Sequence, residues 1–113
     1  MRTITGKIIL PPNVPVVCVE QILIEVRDVS FADAPSITLA QQQLRQVTLQ
    51  TNGHIPFEIT VPDVEPNRVL SLYVHVSLDG SGSVRSGDLL TTRHYEVPNS
   101  GPVLPLEIAV VVI

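Results

Sequence analysis

The sequence predicts an all-β fold: an antiparallel β-sandwich of seven to eight short strands, with a small β-barrel as the alternative. Three observations carry that prediction. Apolar residues alternate with polar ones in several segments, the period-2 mark of half-buried strands. Gly, Pro and Asn turn signals punctuate the chain roughly every ten residues. No stretch has the 3.6-residue periodicity of an amphipathic helix.

The first strand is TITGKIIL at 3–10, with Ile4, Gly6, Ile8 and Leu10 on one face. Pro11, Pro12 and Pro15 stop it, because a proline has no N–H to give to a central ladder. Residues 16–20 continue extended into a second strand at 21–29. There Ile22, Ile24 and Val26 alternate with Leu23, Glu25 and Arg27. Ala32-Asp33-Ala34-Pro35 then forms a turn, in which Asp33 can bond its own backbone and Pro35 fixes φ.

A third strand covers 36–46. Ala40–Arg45 has some helical propensity, but it is short and uncapped, so strand is the assignment kept. Residues 47–51 read as a connector, and Asn52-Gly53 as a turn. PFEITVP at 56–62 is a short strand whose boundary prolines place it at a sheet edge. The clearest strand is 69–78, with Leu70, Leu72, Val74, Val76 and Leu78 on one face and Ser71, Tyr73, His75 and Ser77 on the other. Asp79-Gly80-Ser81-Gly82 is a hairpin turn, and 84–97 returns as a strand broken at Gly87-Asp88. After a turn at Asn99-Ser100-Gly101-Pro102, Leu106, Ile108, Val110 and Val112 form a last strand. It is so apolar that it belongs inside a sheet, away from an exposed edge.

With 113 residues the chain reads as one domain, 1–113. Such a length buries about 65% of the unfolded surface. The hydrophobic content of 44% argues against disorder. With only four aromatic residues and no Trp, the core is aliphatic, and stacking platforms for bases or sugars are disfavoured. The net charge of −4 with scattered Lys and Arg gives no footprint for nucleic acid or an anionic membrane. No apolar run approaches the ~20 residues of a membrane span. Met1-Arg2 followed by Thr, Gly and Lys is not a signal peptide, so the protein is cytoplasmic or its export segment lies outside this chain.

Chemistry-bearing residues are sparse. His54, His75 and His94 are separated by 21 and 19 residues, which fits no compact metal motif. They read as surface residues, solvated or singly hydrogen-bonded. Cys18 has no neighbouring base or helix N-terminus to activate it, so it reads as a buried or half-buried structural thiol that labels slowly. The Gly80-Ser81-Gly82-Ser83 run lacks the strand-to-helix elbow of a serine nucleophile and the helix of a phosphate loop. Asp28 and Asp33 flank a turn, and Asp63 and Glu65 share a loop. They read as a turn cap at Asp33, an ion pair of Asp28 with Arg27 or a neighbouring strand, and solvated groups rather than Ca²⁺ ligands. The residues therefore indicate no catalytic, cofactor-binding or metal site, and residue chemistry leads no further than a soluble all-β domain.

The order of motifs resembles the YbaY/YscW family of small envelope proteins, which includes the type III secretion pilotin lipoproteins. The residues that carry the resemblance are Ile4-Thr5-Gly6, Leu10-Pro11-Pro12, and Val26-Arg27-Asp28-Val29-Ser30 running into Ala32-Asp33-Ala34-Pro35. Ile55-Pro56-Phe57-Glu58-Ile59 and Tyr95-Glu96-Val97 follow. The D-V-S-x-A-D-A-P piece is the most specific. The resemblance implies a β-sandwich, no enzymatic activity and a periplasmic or outer-membrane location through an N-terminal lipid anchor. It also implies a chaperone-like role toward a protein partner, a secretin ring subunit in the pilotin members. The chain itself carries neither the signal sequence nor the lipidated Cys of that pattern. Arg27 and Asp28 are expected to bridge strands, and Asp33-Ala34-Pro35 to fix a turn. A non-enzymatic interaction module is thus the leading reading. A small-ligand or carbohydrate-binding sandwich is the alternative, and an enzyme using His75 and His94 the third.

Overall fold

The computed structural model describes residues 2–14, 16–31, 33–98 and 105–113. Nine strands are present among them: β1 Arg2–Ile9, β2 Val17–Asp28, β3 Ile37–Leu49, β4 His54–Val61, β5 Leu70–Ser77, β6 Leu89–Leu90, β7 Glu96–Val97, β8 Leu106–Ala109 and β9 Val111–Val112. They form two sheets. One runs β4-β1-β8, and the other runs β3-β2-β5-β6-β9 with β7 also paired to β5. All pairings are antiparallel except β1 with β8.

The alternation in the sequence becomes the core. Ile4 and Ile8 of β1, Ile22, Ile24 and Val26 of β2, Ile55, Phe57, Ile59 and Val61 of β4, and Leu70, Leu72, Val74 and Val76 of β5 meet between the sheets. Burying each such side chain is worth about 1.5–3 kcal/mol, which is how an aliphatic core suffices here. Gly6 lies in the middle of this packing. A Cβ there would meet the Leu106 carbonyl oxygen at 2.4 Å and the Phe57 ring at 2.9 Å, so only Gly lets β8 and Phe57 approach β1.

Chain crossings link the sheets on two sides. The turn at Asn52-Gly53 joins the edge strands β3 and β4, with Asn52 at φ 57° and the Gly53 amide bonded to the Gln50 carbonyl at 2.9 Å. On the other side the chain leaves β8, passes buried Val110 and enters β9 in the opposite sheet. Among the described residues no ladder joins β3 to β4 or β8 to β9. The sheets therefore remain two, a sandwich and not a closed barrel.

Several expectations from the sequence need correction. The strands are less uniform than expected: β2 spans 12 residues and β3 spans 13, while three others have only two. Residues 16–28 do not make two segments but one strand from Val17. The connector assigned to 47–51 belongs mostly to β3, which pairs with β2 as far as Leu49. The run 84–97 is not one strand. Hydrogen bonds of the 78–88 loop and a lifted segment at 92–94 leave only β6 and β7 of this run in the ladder with β5. The last strand does not sit in a sheet interior. It divides at Val110, β8 ending one sheet and β9 the other, with Val111, Val112 and Ile113 about 40% exposed. PFEITVP is at an edge, as its prolines require. The predicted turn at 99–102 lies outside the described residues.

Candidate functional site

Both long strands of the larger sheet present their second face outward, and that face is more ordered than its polar sequence suggests. Glu25 is only 7% exposed. It accepts hydrogen bonds from Arg27 Nη2 at 2.7 Å and from Thr38 Oγ1 at 2.9 Å. The Arg27 guanidinium lies 3.8 Å from the centroid of the Tyr73 ring, a cation–π contact across the β2–β5 ladder. Burial pushes the Tyr73 hydroxyl up from its ordinary pKa, against the pull of the Arg27 charge.

At the far end of β5, His75 is buried instead of sitting on a solvated face. The cause is the 78–88 loop, which folds back over this end of the strand. His75 Nε2 lies 2.9 Å from Asp88 Oδ2, and the Leu78 and Arg85 amides each donate to Asp88 at 3.1 Å. Burial alone would raise the Asp88 pKa, but the hydrogen bonds from His75, Leu78 and Arg85 outweigh it and hold the carboxyl below its usual value. His54 and His94 are exposed. Among the described residues no group of three or more His, Cys, Asp or Glu is placed to hold a metal ion.

Arg27 and Asp28 do not bridge strands as a pair. Arg27 bonds Glu25 within β2, because residues two apart share a face and neighbours do not. Asp28 faces the other way and meets Arg68 at 3.3 Å, on the segment leading into β5. The Ser30 hydroxyl and amide both donate to Asp28, and they hold its carboxyl below the ordinary range with help from the Arg68 charge. Of the turn expected at 32–35, residue 32 lies outside the described residues, and the Ala34 amide donates to the Phe31 carbonyl at 3.2 Å. Of the other carboxylates, Glu65 reaches Arg68 at 3.9 Å, and Asp63 lines the same cleft with Asp28, Ile37 and Leu39.

Cys18 corrects another expectation: it is exposed. Val19 turns inward and is fully buried, so the alternation of β2 turns Cys18 outward.

Among the described residues two surfaces stand out as open to a partner. The first is β3, thirteen residues long, which among the described residues pairs with β2 alone and has no ladder on its other backbone edge. Its Gln41-Gln42-Gln43 run and single charge, Arg45, provide little of the charge that usually protects an edge. A register shift opposite Val26 and Gln46 at φ 53° bend it at two points. The second is the end of the sheet where β2 turns into β3. There Phe31 and Ile37 are each 58% exposed, and Arg68 lies over the Phe31 ring at 5.3 Å. The edge character of β3 was not read from the sequence, because no single-strand pattern says which neighbour is missing.

No protein-family model and no curated protein matches the sequence. Among solved structures the chain is similar to an alternative pilotin from the type II secretion system of Vibrio cholerae. The TM-score is 0.71 at 22% identity, over 97% of this chain and 96% of that one. This likeness shows that the fold is pilotin-like.

Proposed function

We propose that this protein is a non-enzymatic, pilotin-like interaction module of a bacterial envelope that assists the assembly or localisation of a secretin subunit. The observation that carries the reading is the near-complete coverage of both chains in the match to the Vibrio cholerae pilotin. The free edge of β3 supports it, since an extended segment of a partner can add a strand there through main-chain hydrogen bonds. Membership of the YbaY/YscW family is part of the proposal. The residues behind it are mainly structural. Ile4, Leu10, Ile55, Phe57 and Ile59 are core, Gly6 permits the β1–β8 approach, and Asp28 anchors Ser30 and Arg68.

The test is direct binding of the purified protein to the secretin subunits encoded in its own source, by calorimetry in moderate salt. The expected result is a stoichiometric complex. A replacement of Gln43 by Pro, which removes a backbone donor from β3, weakens the complex if strand addition is the mode. Absence of a complex with every such secretin sinks the proposal.

A further inference from the structure

Between β6 and β7 the chain leaves β5 and returns. The Thr91 amide bonds the Val74 carbonyl at 3.1 Å, and the Leu72 amide bonds the Tyr95 carbonyl at 2.9 Å. Two steps along β5 are thus matched by four along its neighbour, and residues 92–94 stand off the sheet. Thr91 seals the gap with its side chain, its Oγ1 accepting from the Val74 amide at 3.2 Å. Interruptions of this kind re-aim side chains and gather beside binding sites.

The lifted segment walls a groove of about 360 Å³ on the outer face of the larger sheet. Arg27 and Tyr73 form its floor, and Thr92, Arg93 and His94 its wall. Among the described residues no Asp or Glu lines it, in a chain whose acidic residues outnumber Lys and Arg by 11 to 7, although Glu96 pairs in register with Ser71 at its border. Glu25 stands next to Arg27 and takes one of its donors. Arg93 lies over the Tyr95 ring at 4.9 Å, and among the described residues neither Arg93 nor His94 has a carboxylate partner. The guanidinium forks of Arg27 and Arg93 suit carboxylate, and Tyr73 and Thr92 add hydroxyl donors.

We infer that this groove is a docking site for an acidic segment of a protein partner, with Arg93 as its principal charge and His94 beside it as a hydrogen-bonding group. The inference rests on the reading of the protein as an interaction module and supplies a contact that the β3 edge lacks. On a protein of net negative charge a local cationic group also helps to orient the encounter with an acidic segment.

The test uses a fluorescein-labelled hexaglutamate peptide, with hexaglutamine as its neutral control, read by anisotropy at about 0.1 M salt. Wild type should bind hexaglutamate at least about tenfold tighter than hexaglutamine. R93E should lose about that factor, R93Q/H94Q a substantial part of it, and both should keep the melting temperature of wild type. R45E makes the same charge change at exposed Arg45 on β3, and it should change binding less than about twofold. Equal binding of the two peptides, or equal losses in R45E and R93E, overturns the inference. The secretin complex is then measured with R93E. If wild type and R93E bind that subunit alike, the groove is not the contact, although the proposed function stands. If hexaglutamate binds through Arg93 but no secretin does, the groove stands and the proposed function falls.

Discussion

His75 and Asp88 form a buried pair, 2.9 Å apart with both side chains 3% exposed, that ties the 78–88 loop to the outer face of β5. Asp88 is the hub, because it also accepts from two amides that bracket the loop. The Gly87 amide and the Ile113 carbonyl, 2.8 Å apart, continue the fastening toward β9. Replacing Asp88 by Asn leaves a donor facing donors and removes the charge from three hydrogen bonds. Asp88→Asn should therefore cost about 2–3 kcal/mol in urea unfolding. It should also expose the 78–88 loop to limited proteolysis. A change under about 0.5 kcal/mol, the scale of an ordinary surface substitution, contradicts the role given to this pair.

Three carboxyls, Asp28, Asp79 and Asp88, are held below their ordinary pKa in the folded protein. The Ser81 amide is the main cause at Asp79. A group depressed on folding contributes stability that is present above its unfolded pKa and is lost as pH falls through the folded one. The urea midpoint should thus stay level from neutrality down to about pH 4 and fall below it. Ser30→Ala removes the largest cause at Asp28. In that variant the Asp28 pKa, followed by NMR titration of its carboxyl carbon, should move up toward 3.8. An Asp28 titration unchanged by the substitution rules out Ser30 as its cause.

The elements read most directly from the sequence are those whose inward positions alternate with outward ones over most of their length, β1, the second half of β2, β4 and β5. Period 2 and burial are the same fact there. What escaped was decided by contacts remote in sequence. The polar face of β5 gives no sign that Asp88, thirteen residues on, will bury His75. The apolar run at 106–113 reads as a single strand, and only the two-sheet arrangement divides it at Val110. The candidate docking groove was equally hidden. Thr91-Thr92-Arg93-His94 has strand-like composition, and nothing in it announces a lift away from β5.

Cys18 was misread for a simpler reason: its neighbours are valines, and an apolar run hides which side each residue takes. The register places Cys18 opposite Thr48 on the outside of the β2–β3 ladder. Native protein should therefore react stoichiometrically with Ellman's reagent without denaturant. Labelling that waits for unfolding shows that the thiol is covered.

Gly6 is the position where one methyl group should do the most damage. A Cβ at 2.4 Å from the backbone oxygen of Leu106 cannot be relieved by a rotamer change, so β8 must move away from β1. Gly6→Ala should cost about 1–3 kcal/mol or more by overpacking. It should also weaken protection of the β8 amides against hydrogen exchange ahead of those in β2. Adding Phe57→Leu relieves the ring contact at 2.9 Å but not the carbonyl contact, so it should not restore stability. Full rescue by Phe57→Leu shows that the ring, and not β8, sets the limit.

Tyr95 holds the other edge of β8. Its hydroxyl donates to the Ala109 carbonyl at 3.1 Å and accepts from the Ala109 amide at 3.0 Å. Ala109 lies at the end of the β1–β8 register, so the phenol occupies the place that a further strand would take. Because Tyr95 belongs to the segment beside β5, the contact also links the two sheets close to where the chain crosses at Val110. Tyr95→Phe keeps the ring and removes both hydrogen bonds, at an expected cost of about 1–2 kcal/mol. Exchange of the Ala109 amide should accelerate in that variant while amides in the centre of β5 keep their protection. Uniform acceleration across both sheets indicates a global loss of stability and removes the local role assigned to the hydroxyl.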